Sequence, residues 1–398
     1  MPLTDTTALG RSSQDFKLRA ALTAPRRFSL ADVDGYGADQ GAAQADPGGA
    51  GPLIAAFDQI SSFGTIGGSI AAGGWSCALT VPQVPATFAD FFGVELFAQT
   101  WYGGVPGVAG AAGVAHEARI FRGWMTEARV NRVFQGTTAT FTIKSGADFL
   151  QRASFSRGLD WAVGIPHGAP GSSNAIIDHL IRYHTNYADR EAVGIYLNNH
   201  ALTTFSLNSG NVYGMIKALA DNFALAGEVY SRREGDLVVT AHPNLCPSVH
   251  PTINDPIIEL TADLLLSIDV PETPSNQCAE VAVTAQKSDQ TTYTARYYGG
   301  SGVGSRATYQ IRTDDTAQAD SLAALMYAHL NRRFQAVKVT TGLNVAIDLG
   351  DVILLTIDLP QRGIVWNRKR FYVTAISYSP DLASRTFKAE YTCDEVIA

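Results

Sequence analysis

Histidine and cysteine are the side chains from which a metal or acid–base centre would be drawn, and this chain has eight of the first and four of the second. His242, Cys246 and His250 recur every four residues. On one helix that spacing would aim three donors at a single ion, and Cys278 would supply the fourth ligand of a tetrahedral zinc site. Pro243, Pro247 and Pro251 forbid a continuous helix there. The stretch reads better as a proline-rich connector, and no metal site is assigned. His179 and His184 are five apart on a helical stretch, about 140° beyond one full turn, so they point to separate roles. Asp32, Asp34 and Asp39 with Gly35 and Gly37 have the composition of a calcium loop but lack its ligand register and closing glutamate.

Carboxylates would be the other source of catalysis. Asp263, Asp314-Asp315 and Asp394-Glu395 can be paired on paper as general acid and base, yet nothing places them across a cleft. Asp314 and Asp315 fit better at a helix N-terminus, where negative charge is favourable. No GxxxxGK[ST], GxSxG, HExxH or SxxK motif occurs, and the cluster Gly299, Gly300, Gly302, Gly304 suits a hairpin tip, not a phosphate loop. No catalytic, cofactor-binding or metal residue is assigned, and an enzyme is not expected. Trp75, Phe91, Phe92, Trp101, Tyr102, Tyr297 and Tyr298 could stack sugars or bases, but in a strand-rich chain such residues are mostly core or subunit contacts.

The elements that would position these groups are mainly strands. In Thr137 to Lys144, Ala139, Phe141 and Ile143 alternate with threonines, the signature of a half-buried strand. Strand-like pieces also occupy Val94 to Tyr102 and two stretches of His116 to Val133 on either side of Gly123. Between Ser172 and Thr240 the period changes. Ile176, Ile177, Leu180, Ile181 and His184 share one helical face, capped by Ser173 or Asn174, and Val212, Met215, Ile216, Leu219, Ala220 and Phe223 share another. Arg233 to Asp236 should turn a hairpin after the second helix. A third helix is expected from about Asp314, with Leu322, Leu325, Met326, His329 and Leu330 on one face. Strands at Leu343, Val345, Ile347 and at Val352 to Ile357 flank a Gly350-Asp351 turn, and Ser379-Pro380-Asp381 should turn the last hairpin.

The fold class is therefore mainly β with an α+β insert: two β-barrel-like domains around a small α/β unit. The expected division is residues 1–52, an N-terminal segment with a Gly/Ala/Asp-rich arm, then 53–155, 156–245 and 246–398. The arm, Ala31 to Pro52, has almost nothing to pack in a core, so ordering it at about 1–2 kcal/mol per residue requires something outside its own domain. With 46% hydrophobic and 17% charged residues the chain should fold. Thirty basic against 37 acidic residues, net −7, exclude a nucleic-acid-wrapping protein. The cysteines are too scattered for a disulfide framework and read as buried thiols; neither a signal peptide nor a membrane span is expected.

Several local motifs fall in a recognisable order. Ile120-Phe121-Arg122-Gly123-Trp124 is followed by the alternating strand Thr138 to Ile143 and by Asp148, Phe149 and Leu150. Gly227, Tyr230, Arg233, Gly235, Asp236, Leu237 and Val238 form a hairpin signature, and Leu343, Ile347, Leu349, Gly350, Asp351 and Val352 close the series. Over about Leu53 to Val396 the chain resembles the central hub proteins of tailed-bacteriophage baseplates and tail tips and of related contractile injection systems. Leu349 stands where that family usually has proline.

The resemblance implies a non-enzymatic virion protein, made in the host cytoplasm and built into the tail. It implies a homo-oligomeric ring, a trimer whose paired β-domains match the sixfold tail tube. Partners would be the tail tube or distal tail protein on one side, the central spike or fibre on the other, and the tape measure protein. DNA would meet the ring only in transit through its lumen, a role that a net charge of −7 without a basic cluster suits. Two rival functions are a tail-associated hydrolase of cell wall or capsule, and an adhesin binding glycans through Trp75, Trp101 and Tyr102.

Overall fold

The N-terminal part contributes β1 (Phe16–Pro25), β2 (Leu53–Phe57), β3 (Ser62–Phe63), β4 (Ile66–Ser69), β5 (Gly74–Val81), β6 (Phe92–Tyr102), β7 (Val114–Val133) and β8 (Gly136–Lys144). The middle holds α1 (Ala147–Arg152), β9 (Leu159–Ala162), α2 (Ser173–His184), β10 (Val193–Ile195), β11 (Thr204–Leu207), α3 (Val212–Ala224), β12 (Gly227–Ser231) and β13 (Leu237–Ala241). The C-terminal part adds β14 (Ile258–Thr261), β15 (Leu265–Asp269), β16 (Cys278–Gln286), β17 (Thr292–Tyr298), β18 (Ser305–Arg312) and α4 (Thr316–Asn331). It ends with β19 (Ala336–Gly342), β20 (Val352–Leu359), β21 (Ile364–Asp381) and β22 (Thr386–Glu395). This computed structural model describes residues 16–25, 53–57, 62–81, 92–102, 114–133, 136–152, 159–162, 172–185, 187, 191–199, 204–207, 211–246, 250, 258–271, 278–299, 304–331, 336–342, 346–381 and 386–397. The Ala31 to Pro52 arm with its Asp/Gly run, Phe91, and Gly300 and Gly302 of the glycine cluster lie outside them.

The fold is mainly β, and its largest sheet joins both ends of the chain. The order β15-β19-β22-β21-β4-β5-β8-β7-β6-β1-β2 runs without closing, with β3, β14 and β20 paired off this path. The mainly β expectation holds, and among the described residues the strands form an open sheet with no closed barrel. Its link is β4, which pairs β5 on one side and β21 on the other, Ile66 facing Tyr378 and Ser69 facing Ala375.

Some expected turns are strand instead. One 20-residue strand, β7, replaces the two pieces around Gly123, because both halves pair along β8 or β6 and the irregularity between Met125 and Glu127 is absorbed as a bulge. Ser379, Pro380 and Asp381 continue β21, facing Lys388, Phe387 and Thr386. The alternation at Leu343, Val345 and Ile347 does not form a strand at Ile347, which lies in an irregular approach to the Gly350 turn; the strand is β19, ending at Gly342, and residues 343–345 are outside the described set. Helix α2 begins at Ser173 after Ser172, whose side chain makes no cap, so capping by Ser173 or Asn174 is not found. Helix α4 begins at Thr316, and its Leu325 is exposed while Gln318, Ala319, Leu322, Ala323 and Met326 are buried.

Two cores result. Ile66, Trp75, Phe121 and Phe141 from the N-terminal strands pack with Val337, Ile353, Tyr378 and Tyr391 from the C-terminal ones. The second core combines Ile177, Leu180, Ile216 and Leu219 of α2 and α3 with Val281 and Val283 of β16 and Leu322 and Met326 of α4. The β12–β13 hairpin belongs to both. Its two-residue period sends Tyr230 and Val238 into the first core and Val229, Leu237 and Val239 into the second, so it is apolar on both faces.

Candidate functional site

The turn of that hairpin and the Gly350 turn meet, and Arg122 of the first sequence motif joins them. The local reason is a tight turn at each position. Arg232 N donates to Asp236 O at 2.7 Å and Gly235, at φ 104°, closes the hairpin. Asp351 N donates to Asp348 O at 3.2 Å across Leu349-Gly350, and Leu349 fills the family's proline position as a buried core residue without preventing the turn. Gly350 has φ 78°, the left-handed region, and a Cβ there would overlap the Tyr230 hydroxyl.

Charge joins the two turns. Arg232 Nη2 donates to Asp351 Oδ1 at 2.6 Å, and its Nε lies 3.7 Å from Asp348 Oδ2. The Arg233 backbone N–H donates to Asp348 Oδ2 at 2.9 Å, and the Trp75 indole N–H donates to Asp348 Oδ1 at 3.1 Å from 273 residues away. Asp351 Oδ2 accepts from Asp348 N at 2.7 Å. Asp348 is 5% exposed and Asp351 0%, so water contributes almost nothing to either. Burial pushes the Asp348 carboxyl up while Arg233 and Arg232 pull it back; Asp351 is pushed up to about 7 by burial against the pull of Arg232.

The same seam is stitched to the N-terminal strands. Arg122 N donates to Arg233 O at 3.1 Å, Ser231 N to Gly73 O at 2.9 Å, and Ala147 N to Ser231 Oγ at 2.7 Å. Arg122 Nη2 lies 3.4 Å from Glu191, and the Tyr187 hydroxyl donates to Gly235 O at 2.6 Å. Arg122 of the first motif thus sits against Arg233 of the hairpin motif.

A second polar group borders it. The Tyr372 hydroxyl donates to Glu228 Oε2 at 2.5 Å. His242 and His250 set their rings edge-on to Tyr372 at 5.1 and 5.2 Å, and His329 lies 5.4 Å from His242. Burial pushes Glu228 up to about 7 and lowers His242 to about 3 and His250 to about 4. Asn244 fixes the C-terminal strand, its Nδ2 donating to Glu395 O at 3.0 Å and its Oδ1 accepting from Ile397 N at 2.9 Å.

The residues suggested for chemistry are dispersed. His242 and His250 share Tyr372, but Cys278 lies on β16 with its backbone N–H held by Asn331 Oδ1, and Cys246 Sγ is 4.0 Å from Asn198 Nδ2. Among the described residues no three His, Cys, Asp or Glu side chains are placed to hold a metal ion. The four cysteines are buried free thiols. His179 and His184 fall on α2. Asp315 accepts from Ala317 N at the start of α4, whereas Asp314 accepts from Ser288 in the β16–β17 turn. Asp263 is exposed beside Thr261, and Glu395 pairs with Lys369 at 2.9 Å. Trp75 is a core residue against Phe121 and Tyr378, which removes it from any glycan-stacking surface; Phe92, Trp101 and Tyr102 lie on β6, and Tyr297 and Tyr298 are exposed. Asp348, Arg232, Glu228 and Tyr372 were not singled out from sequence. The available signal was two opposite-sign turn pairs, Arg232-Arg233 and Asp348…Asp351, each inside apolar runs.

This arrangement locks three stretches of chain into one body. Comparison with solved structures identifies the fold. The tail protein from Neisseria meningitidis MC58 superposes with a TM-score of 0.57 at 14% identity, covering 83% of this chain and 91% of that one. The 43 kDa tail protein of prophage MuSo2 from Shewanella oneidensis gives 0.51 at 12%, covering 85% and 95%. A chain of the lidded Francisella PdpA-VgrG complex gives 0.51 at 8%, covering 99% of this chain and 55% of that one. No protein-family model and no curated protein matches the sequence.

Proposed function

We infer the function from the fold that this chain shares with phage tail proteins. We propose that it is a non-enzymatic structural subunit of a phage tail or tail-like particle, the hub at the end of the tube. Three copies would form a ring, with the tail tube or distal tail protein above, the central spike or fibre below, and the tape measure protein and the passing DNA within. The segments 53–155, 156–245 and 246–398 would be its working units.

The observation that carries this reading is the open sheet. It merges strands from both ends of the chain, and among the described residues β2, β3, β14 and β15 are each paired on one side only. A subunit with such one-sided strands suits a ring, where heterologous contacts close and cover them. The buried seam supports it further, since a ring that bears load between tube and spike needs its modules fixed to one another. Among the described residues no helix is long and apolar enough to cross a membrane.

The test is the mass of the purified chain in solution. Three copies are expected, and a monomer at all concentrations would overturn the ring. Absence of clearing on a peptidoglycan zymogram is expected as well, and lysis by the isolated chain would restore the hydrolase reading.

A further inference from the structure

The sheet β17-β16-β18 covers α4 with one face and leaves the other open. On the covered side Val281, Val283, Ala295 and Ile311 are buried. Register places Tyr298, Glu280 and Arg306 in one row across the open side, then Arg296, Ala282 and Thr308, then Thr294, Thr284 and Gln310, then Thr292, Gln286 and Arg312. In the central column Ala282 is 2% exposed, while the flanking Arg296, Tyr298, Arg306 and Arg312 are exposed. The open face carries these three arginines and one carboxylate, Glu280, which lies 3.2 Å from Arg296 and 3.4 Å from Arg306, and Arg312 stands in the Gln286 row at the other end. In a chain of net −7 this face is locally positive.

A complementary segment exists in the same sequence. Residues 31–52 contain Asp32, Asp34, Asp39 and Asp46, no lysine or arginine, and mostly glycine and alanine, whose small side chains let a backbone lie close against a sheet face. Both ends of this stretch are tied to one place, because β1 ends at Pro25, β2 begins at Leu53 and Thr23 pairs with Leu53. The chain from 26 to 52 therefore leaves and returns at the edge of the main sheet. At about 3.4 Å per extended residue, out and back, it can reach about 45 Å, enough to touch a neighbouring subunit.

We propose that the acidic 31–52 segment of one copy docks on the arginine-bearing face of β16, β17 and β18 of the next. This rests on the ring reading above. Exposed side chains of opposite sign select partner and register more than they add stability, so the contact would direct ring closure.

All four native thiols are buried, so single introduced cysteines report proximity. A full-length Asp39→Cys chain mixed with a full-length Thr294→Cys chain, assembled and treated with a short bis-maleimide, should give covalent heterodimers. Arg296→Glu with Arg306→Glu in the second chain should lower that yield at least about tenfold without moving the melting temperature of the subunit. Rings that form with no heterodimer, or a yield insensitive to the charge reversal, would overturn the docking alone. A chain that remains monomeric by mass would overturn the ring reading and the docking together.

Discussion

The seam between the Arg232 and Gly350 turns and the open face of β16–β18 use the same chemistry, arginine against carboxylate, in opposite solvents. Asp351 and Asp348 are almost wholly removed from water, whereas Arg296 and Arg306 reach Glu280 from exposed positions. In the seam the two carboxylates have lost their hydration and depend on Arg232, which keeps part of its own, so removing the arginine leaves buried charge uncompensated. On the face, water replaces whatever is removed, and the pairs contribute little to folding. Charge thus serves cohesion in one region and, in the proposed ring, selection of a neighbour in the other.

The strongest way to break this contrast is Arg232→Ala. It should cost about 3–5 kcal/mol in denaturant unfolding, because Asp351 keeps its buried position with its cation gone. A loss below about 1 kcal/mol would mean that the seam behaves like the surface. Gly350→Ala comes next, at about 2–4 kcal/mol, since it combines left-handed backbone strain with displacement of the Tyr230 hydroxyl. If the melting temperature of that variant is unchanged, the turn is not closely packed.

Acidity sharpens the comparison. Glu228 titrates near 7 in the fold against 4.5 as an ordinary side chain, so between those values the folded chain holds a proton that the unfolded chain has released. Stability from this group is present below pH 4.5 and falls as pH rises toward 7. His242 and His250, lowered from 6.5 to about 3 and about 4, act the other way: the unfolded chain takes protons the fold refuses, and stability falls as pH drops below 6.5. Glu228→Gln removes the first effect only. Its stability relative to the parent should rise by on the order of 2–3 kcal/mol from pH 4.5 to pH 7, and a difference that stays flat in thermal melts across that range would remove Glu228 from the seam's account. The smallest effect belongs to the open face, where Arg296→Ala should change unfolding stability by less than about 0.5 kcal/mol.

Local pattern was read well where one physical cause acted alone. The alternation of Ala139, Phe141 and Ile143 with threonines became β8, the spacing from Val212 to Leu219 became α3, and Arg233 to Asp236 became the hairpin turn. Reading failed where a distant partner overrode the local signal. Pro380 looks like a turn but continues β21, because Phe387 pairs with it at the end of a long ladder. Leu325 matches the helical period yet is exposed, because α4 presents Ala319, Leu322 and Met326 to the sheet and has nothing opposite Leu325 to bury it.

Sequence alone settled the elements whose cause is local, among them β8, α3 and the Arg233 to Asp236 turn, because backbone sterics and side-chain period act over a few residues. Only the tertiary structure decided that the two β-rich parts share one open sheet, and that Trp75, Arg232 and Asp348 meet. Those pairings span up to 273 residues, and what fixes them is the removal of water from a common site, a condition that no short window of sequence contains.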